Sequence, residues 1–167
     1  MFLRQIANSE IREIPDGRAG VAATLKTMAD LVREYKKNAR IRDLAAQLTA
    51  DLPNKDYYAE AVRLHQYVRD EIRYLQDVRG VETVQTPTLT LDLGSGDCDD
   101  KSLLLAALLE SIGHPTRFLA VGFRHGEIDH VLVETKIGRE FIAAETTEPV
   151  PFGWRPPDVL DSIVMYN

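Results

Sequence analysis

The chain has 167 residues, 44% of them hydrophobic, which suffices for one compact core and is cramped for two. Its 20 Lys and Arg against 26 Asp and Glu leave a net charge of −6, and no basic stripe offsets it, so nucleic acid and anionic membranes are disfavoured as partners. The single cysteine excludes an internal disulfide framework and any Cys-rich zinc site, leaving a buried thiol or a reactive one.

Residues 1–17 have little periodicity and end in "PDG", a turn signal, so they read as an arm that adds an edge strand or contacts a partner. The same segment lacks the continuous apolar core of a secretory signal, and the chain has no run of roughly eighteen apolar residues to span a bilayer. The expectation is a protein made and kept soluble in the cytoplasm. From Arg18, Val21, Leu25, Met28, Val32 and Tyr35 recur at helical spacing to about Lys37. A shorter helix follows with Ile41, Leu44, Leu48 and Leu52 on its buried side and Pro53 ending it. Asp56 or a neighbour opens a third, with Ala61, Leu64, Val68, Ile72 and Leu75 as its stripe and "DVRG" as its stop.

The next segment, "VETVQTPTLTLDLGSG", combines β-branched residues with Pro87 and late glycines and is predicted to be an extended, partly irregular connection. From Cys98 to Ile112 the chain is apolar almost all round, as in a helix buried at the centre of a domain, with Gly113 and Pro115 to stop it. Three strands are predicted in "TRFLAVGF", "HVLVETK" and "REFIAAETT", the last two joined around Gly138. The end, "PVPFGWRPPDVLDSIVMYN", reads as a Pro-rich arm whose last apolar residues pack back onto the body; Trp154 more often staples such an arm than lines a groove.

A thiol reacts as its thiolate, which a helix N-terminus favours, and Cys98 occupies that place behind the permissive "GSGD". Asp97, Asp99 and Asp100 oppose ionisation, so an imidazole is needed to form an ion pair with the sulfur and later to protonate a leaving amine. His65 and His114 sit in ordinary helical positions and His125 at a loop tip, whereas His130 opens a strand, a fixed position of the kind a base needs. If the following loop holds an even number of residues, such as Gly138 and Arg139, Ile137 pairs with Glu140 and Leu132 with Glu145. His130 and Glu145 then share a face as diagonal neighbours about 7–8 Å apart at the backbone. An odd loop turns Glu145 away.

The stretches "VRDEIRYLQD", "GDCDDKSLLLAALLESIGHPTRFLAVGF", "DHVLVET" and "FIAAETT" resemble the transglutaminase-like superfamily of papain-like thiol enzymes, over roughly Asp56 to Glu148. The resemblance implies an α+β fold, a central buried helix packed on an antiparallel sheet, preceded by two N-terminal helices. It implies Cys98 as nucleophile, His130 as general base and acid, and Glu145 as the orienting carboxylate where the family usually has Asp. The oxyanion donors would be the Cys98 backbone N–H and a side chain from the preceding segment, with Gln85 the candidate.

The domain reading is a helical extension over 1–55, the catalytic core over 56–150 and a C-terminal arm over 151–167. No cofactor is expected, and no metal, because adjacent residues at a helix start point apart and no second Cys or His closes a tetrahedron. A peptide or protein is the expected substrate. The short form also resembles stand-alone copies among the structural genes of tailed phages and prophages, which implies a place in a virion and partners that are phage structural proteins or further copies of the chain. Two functions follow: a cysteine hydrolase acting through an acyl-enzyme, on the cell wall in a phage setting, or a non-catalytic assembly module that retains the fold.

Overall fold

The computed structural model describes residues 17–76 and 84–167. In chain order the elements are α1 (Gly17–Tyr35), α2 (Ala39–Thr49), α3 (Tyr57–Glu71), β1 (Arg73–Tyr74), α4 (Pro87–Leu93), β2 (Ser95–Gly96), α5 (Cys98–Ser111), β3 (Thr116–Gly122), β4 (His130–Ile137), β5 (Glu140–Ala144) and β6 (Asp161–Tyr166). The longer strands form an antiparallel sheet in the order β5-β4-β3-β6, and β1 and β2 pair in parallel just before α5.

α5 is the centre of the molecule. Asp97 caps it by accepting from the Asp99 and Asp100 N–H groups, and the Asp100 side chain answers by accepting from the Asp97 N–H, which completes a capping box. Leu103, Leu104, Leu105, Leu108 and Leu109 are all 0% exposed. A helix can be apolar on every side only when every side is covered, and here β3 and β4 cover one side and α1 to α4 the others. Leu25, Met28, Val32 and Ile41 from α1 and α2 belong to the same core cluster as the α5 leucines. Each fully buried aliphatic side chain contributes about 1.5–3 kcal/mol relative to exposure.

Several expectations are corrected. α3 ends at Glu71, short of the predicted stop, because the chain straightens at Ile72 to make the short parallel pair; Leu75 is 55% exposed, outside the buried stripe. α2 ends at Thr49, before Pro53. The predicted irregular connection contains α4, in which Pro87 stands in the first turn behind the Thr86 cap and Gly94, at φ 60°, closes the helix. Pro87 starts a helix there; it does not interrupt an extended strand. The last apolar residues do pack back onto the body, as β6 paired with β3. The N-terminal arm and "DVRG" lie outside the described residues.

The sheet positions the site through its register. Gly138 and Arg139 make a two-residue loop, Gly138 at φ 63°, and Ile137 pairs with Glu140 through to Val133 with Ala144. This is the even loop on which the placement of Glu145 depends.

Candidate active site

Cys98 is the first residue of α5 and is half-buried. Burial first, then the charges of Asp99 and Asp97, push its thiol well above the ordinary range, while the Val131 backbone N–H works the other way. Its Sγ lies 3.6 Å from Asp99 Oδ1. Burial, with the charges of Asp99 and Asp97, therefore outweighs the helix start, in the direction the flanking aspartates led us to expect, and the resting sulfur is a thiol. Val131 follows His130 directly, so the sulfur faces the strand that carries the imidazole.

His130 Nε2 lies 2.6 Å from Glu145 Oε2, with the Glu145 side chain 1% exposed and that of His130 17%. Burial opposes the imidazolium, but the Glu145 carboxylate, with Asp99 and Asp129, outweighs it and raises the pKa of His130 above its ordinary value. Burial likewise works to raise Glu145, and His130 together with the Thr147 N–H, 2.6 Å from Oε1, brings it below its ordinary value. The bond places the proton of a neutral His130 ring on Nε2, the atom that faces the Glu145 carboxylate.

Gln85 reaches the same helix start through its backbone. Its N–H donates to Asp100 Oδ1 at 2.7 Å, while Asp100 Oδ2 accepts from the Asp97 N–H at 3.2 Å. The Gln85 side-chain Oε1 accepts from Thr90 Oγ1 at 3.3 Å. Asp100 is 0% exposed, and burial, with the charge of Asp97, pushes its carboxyl up to about 8. A Cβ at Gly96 would sit 2.5 Å from Asp100 Cβ, so only glycine lets this clamp close. The side-chain amide of Gln85 thus belongs to a segment held against the residues flanking Cys98.

Asp97, Cys98 and Asp99 present possible ligand atoms within 4.8 Å of one another, which corrects the expectation that these side chains diverge. The donors are two carboxylates and a thiol from one helical turn, and Asp97 Oδ1 is already engaged as the cap. His114 pairs with Glu60 at 2.8 Å, away from this cluster.

Two buried groups escaped the sequence reading. His65 is 0% exposed, and its Nε2–H donates to the Glu145 backbone carbonyl at 2.5 Å. Lys101, one turn beyond Cys98, donates to the carbonyl of Ile72 at 2.6 Å and to that of Arg69 at 3.3 Å, closing the C-terminal end of α3. Burial lowers its pKa to about 8 against the pull of Glu145 and Asp70. A polar residue on the buried stripe of α3 was the available signal for His65. Lys101 gave none, since an isolated lysine in an apolar helix reads as its exposed position.

Comparison with solved structures returns this architecture. A proposed protease from Parabacteroides distasonis superposes with a TM-score of 0.62 at 19% identity, covering 89% of this chain and 33% of that one. A proposed cysteine protease from Cytophaga hutchinsonii gives 0.57 at 18%, covering 84% and 52%. Calcium-bound LapG from Legionella pneumophila gives 0.52 at 16%, covering 85% and 87%. The chain thus spans about a third and about half of the first two, and at these identities the likeness is one of fold. No curated protein matches the sequence. No helix among the described residues is long and apolar enough to cross a membrane. The family signature of the transglutaminase-like superfamily matches residues 42–156, more than half of the chain and all of the site described above, and the chain belongs to that superfamily.

Proposed function

We propose that the chain is a cysteine hydrolase of amide or isopeptide bonds, with Cys98 as nucleophile, His130 as base and acid and Glu145 as the group that orients the imidazole. The observation that carries this reading is the 2.6 Å His130–Glu145 bond on the strand that faces the Cys98 sulfur. Neutral His130 takes the thiol proton at Nδ1 as the sulfur attacks the carbonyl carbon, and the oxyanion is met by the Cys98 N–H and the Gln85 amide. The imidazolium gives that proton to the departing amine, leaving an acyl-enzyme. His130 then deprotonates a water, which attacks the thioester and returns Cys98 as a thiol.

Hydrolysis is favoured over transfer to an amine because water is always present, whereas transfer requires a covered channel that excludes it. The substrate is a peptide or protein, and in a phage setting a peptide cross-link of the cell wall. A burst of nitrophenolate from a p-nitrophenyl ester, with an acyl adduct on Cys98 in the intact mass, supports the reading; neither product in the wild type refutes it. Purified peptidoglycan and unfolded protein, compared by release of new amino groups, then separate the substrate classes.

One observation favours a second reading. Burial, with the charges of Asp99 and Asp97, holds Cys98 as a thiol, as suits an assembly module that keeps the fold without the chemistry. A stable multimer on a sizing column together with an inert Cys98 supports that module over the hydrolase.

A further inference from the structure

We propose that His65 is a positioning residue of the Cys98 site: its Nε2–H holds the Glu145 backbone carbonyl where β5 has run out of strand partners, and so sets the Glu145 carboxylate against His130. The inference rests on the hydrolase reading above and adds to it a residue on α3.

β5 ends at Ala144, which pairs with Val133, and Glu145 is the first residue beyond the ladder. A buried carbonyl at that point needs a donor from elsewhere. It finds one on α3, eighty residues earlier in the chain, at 2.5 Å. The carboxylate Oε1 is tied down by the Thr147 N–H at 2.6 Å. With carbonyl and Oε1 both held, Oε2 is the atom aimed at His130. Misplacing an orienting group by 1 Å is enough to weaken such a constellation.

Packing alone does not explain a histidine here. Position 65 lies among Ala61, Leu64 and Val68 on the buried side of α3, where an aliphatic side chain would bury as well. The histidine instead leaves its Nδ1 buried without a hydrogen-bond partner among the described residues. An unmatched buried nitrogen is destabilising, a cost that a leucine would not incur. The ring is neutral: burial lowers its pKa, with Arg69 adding to that and Glu145 and Asp70 opposing it, and a second N–H on Nδ1 would face nothing that accepts. The Phe152 ring packs against it, 5.7 Å between centroids.

The test is an NMR titration of the His130 ring, together with the pH profile of Cys98 alkylation, in the wild type, His65→Gln, His65→Met and Phe152→Ala. Glutamine keeps an N–H donor in place of Nε2, methionine fills the volume without one, and Phe152→Ala removes packing from the far side of the ring. We expect the His130 midpoint to fall by about one pH unit in His65→Met, with the rise in alkylation moving to lower pH by the same amount, and both to be restored in His65→Gln. Phe152→Ala should lower Tm and leave the midpoint where it was. An unmoved midpoint in His65→Met, or an equal shift in Phe152→Ala, overturns the assignment. Should the methionine variant not fold, the wild-type ring nitrogens decide: the Nε2–H tautomer of His65 supports the role, and the Nδ1–H tautomer overturns it. An inert Cys98 beside a His130 whose midpoint is still raised ends the hydrolase reading and leaves the His65 contact intact, so the two failures are separable.

Discussion

Replacing Glu145 by glutamine changes one atom and removes the charge that organises the site. In the wild type the carboxylate accepts from both sides, from Thr147 N–H at Oε1 and from His130 at Oε2. A glutamine amide accepts on one side and donates on the other, so it must either face an N–H with its own N–H or force the proton of His130 onto Nδ1. The second arrangement blocks Nδ1 from taking the thiol proton. Glu145 is held below its ordinary 4.5, so its contribution to stability is present above pH 4.5 and is lost as pH falls through the depressed value. His130 is held above its ordinary 6.5, so its contribution is full below pH 6.5 and is lost as pH rises through the raised value. The pair therefore stabilises most between pH 4.5 and 6.5.

Removing one partner of a fully buried ion pair costs about 3–5 kcal/mol when the other charge is trapped. His130 is 17% exposed and can shed its proton, which brings the expected cost down to that of a hydrogen bond to a charged group, about 1.5–3 kcal/mol at pH 5.5. At a pH high enough to remove the His130 proton in both proteins, as the titration of its ring reads it, the loss should be about 1 kcal/mol. Urea unfolding at the two pH values reads this directly, and ester turnover should fall by about 10²–10⁴. An equal stability loss at both pH values, or turnover unchanged, would refute the reasoning.

Gly96→Ala places a methyl 2.5 Å from Asp100 Cβ in the first turn of a helix that cannot shift, so we expect a loss of about 1–3 kcal/mol in urea unfolding and a weaker ester burst, because the Gln85 segment loses its clamp. Leu108→Ala, in the all-covered face of α5, should cost about 2–5 kcal/mol in the same assay and leave the His130 titration unchanged once the variant is folded. Asp99→Asn removes one of the charges that hold the Cys98 thiol up, so the alkylation profile should move to lower pH; a profile that stays in place would show that burial alone sets it.

The arrangement of Cys98, His130 and Glu145 was legible in the sequence because each rests on a local rule: a capped helix start, a strand opening, and the parity of a two-residue loop. α5 was legible from its leucines. α4 was not, since Pro87 both breaks strands and starts helices, and only the Thr86 cap and the Gly94 stop decide between them. β6 was faint because Val164 and Tyr166 face out and Ile163 and Met165 are half-buried, which blurs the contrast that alternation needs. The distant partners of His65 and Asp100, the Glu145 carbonyl and the Gln85 N–H, depend on where other segments end in space, and no local pattern names them. For Cys98 the opposition of the neighbouring aspartates could be read from the sequence, but not the burial that raises the thiol most, because that depends on how distant segments pack over it.

The most direct test of the Cys98–His130 site is the rate of Cys98 alkylation by iodoacetamide from pH 4 to 9, in the wild type and in His130→Ala. With Cys98 pushed up and His130 raised, reactivity should be low in acid and rise through a midpoint above pH 6.5 as His130 becomes free to accept the thiol proton. In His130→Ala that rise should vanish from the range, leaving an unassisted thiol. A wild type that is inert throughout, or a mutant with the same profile, would contradict the account.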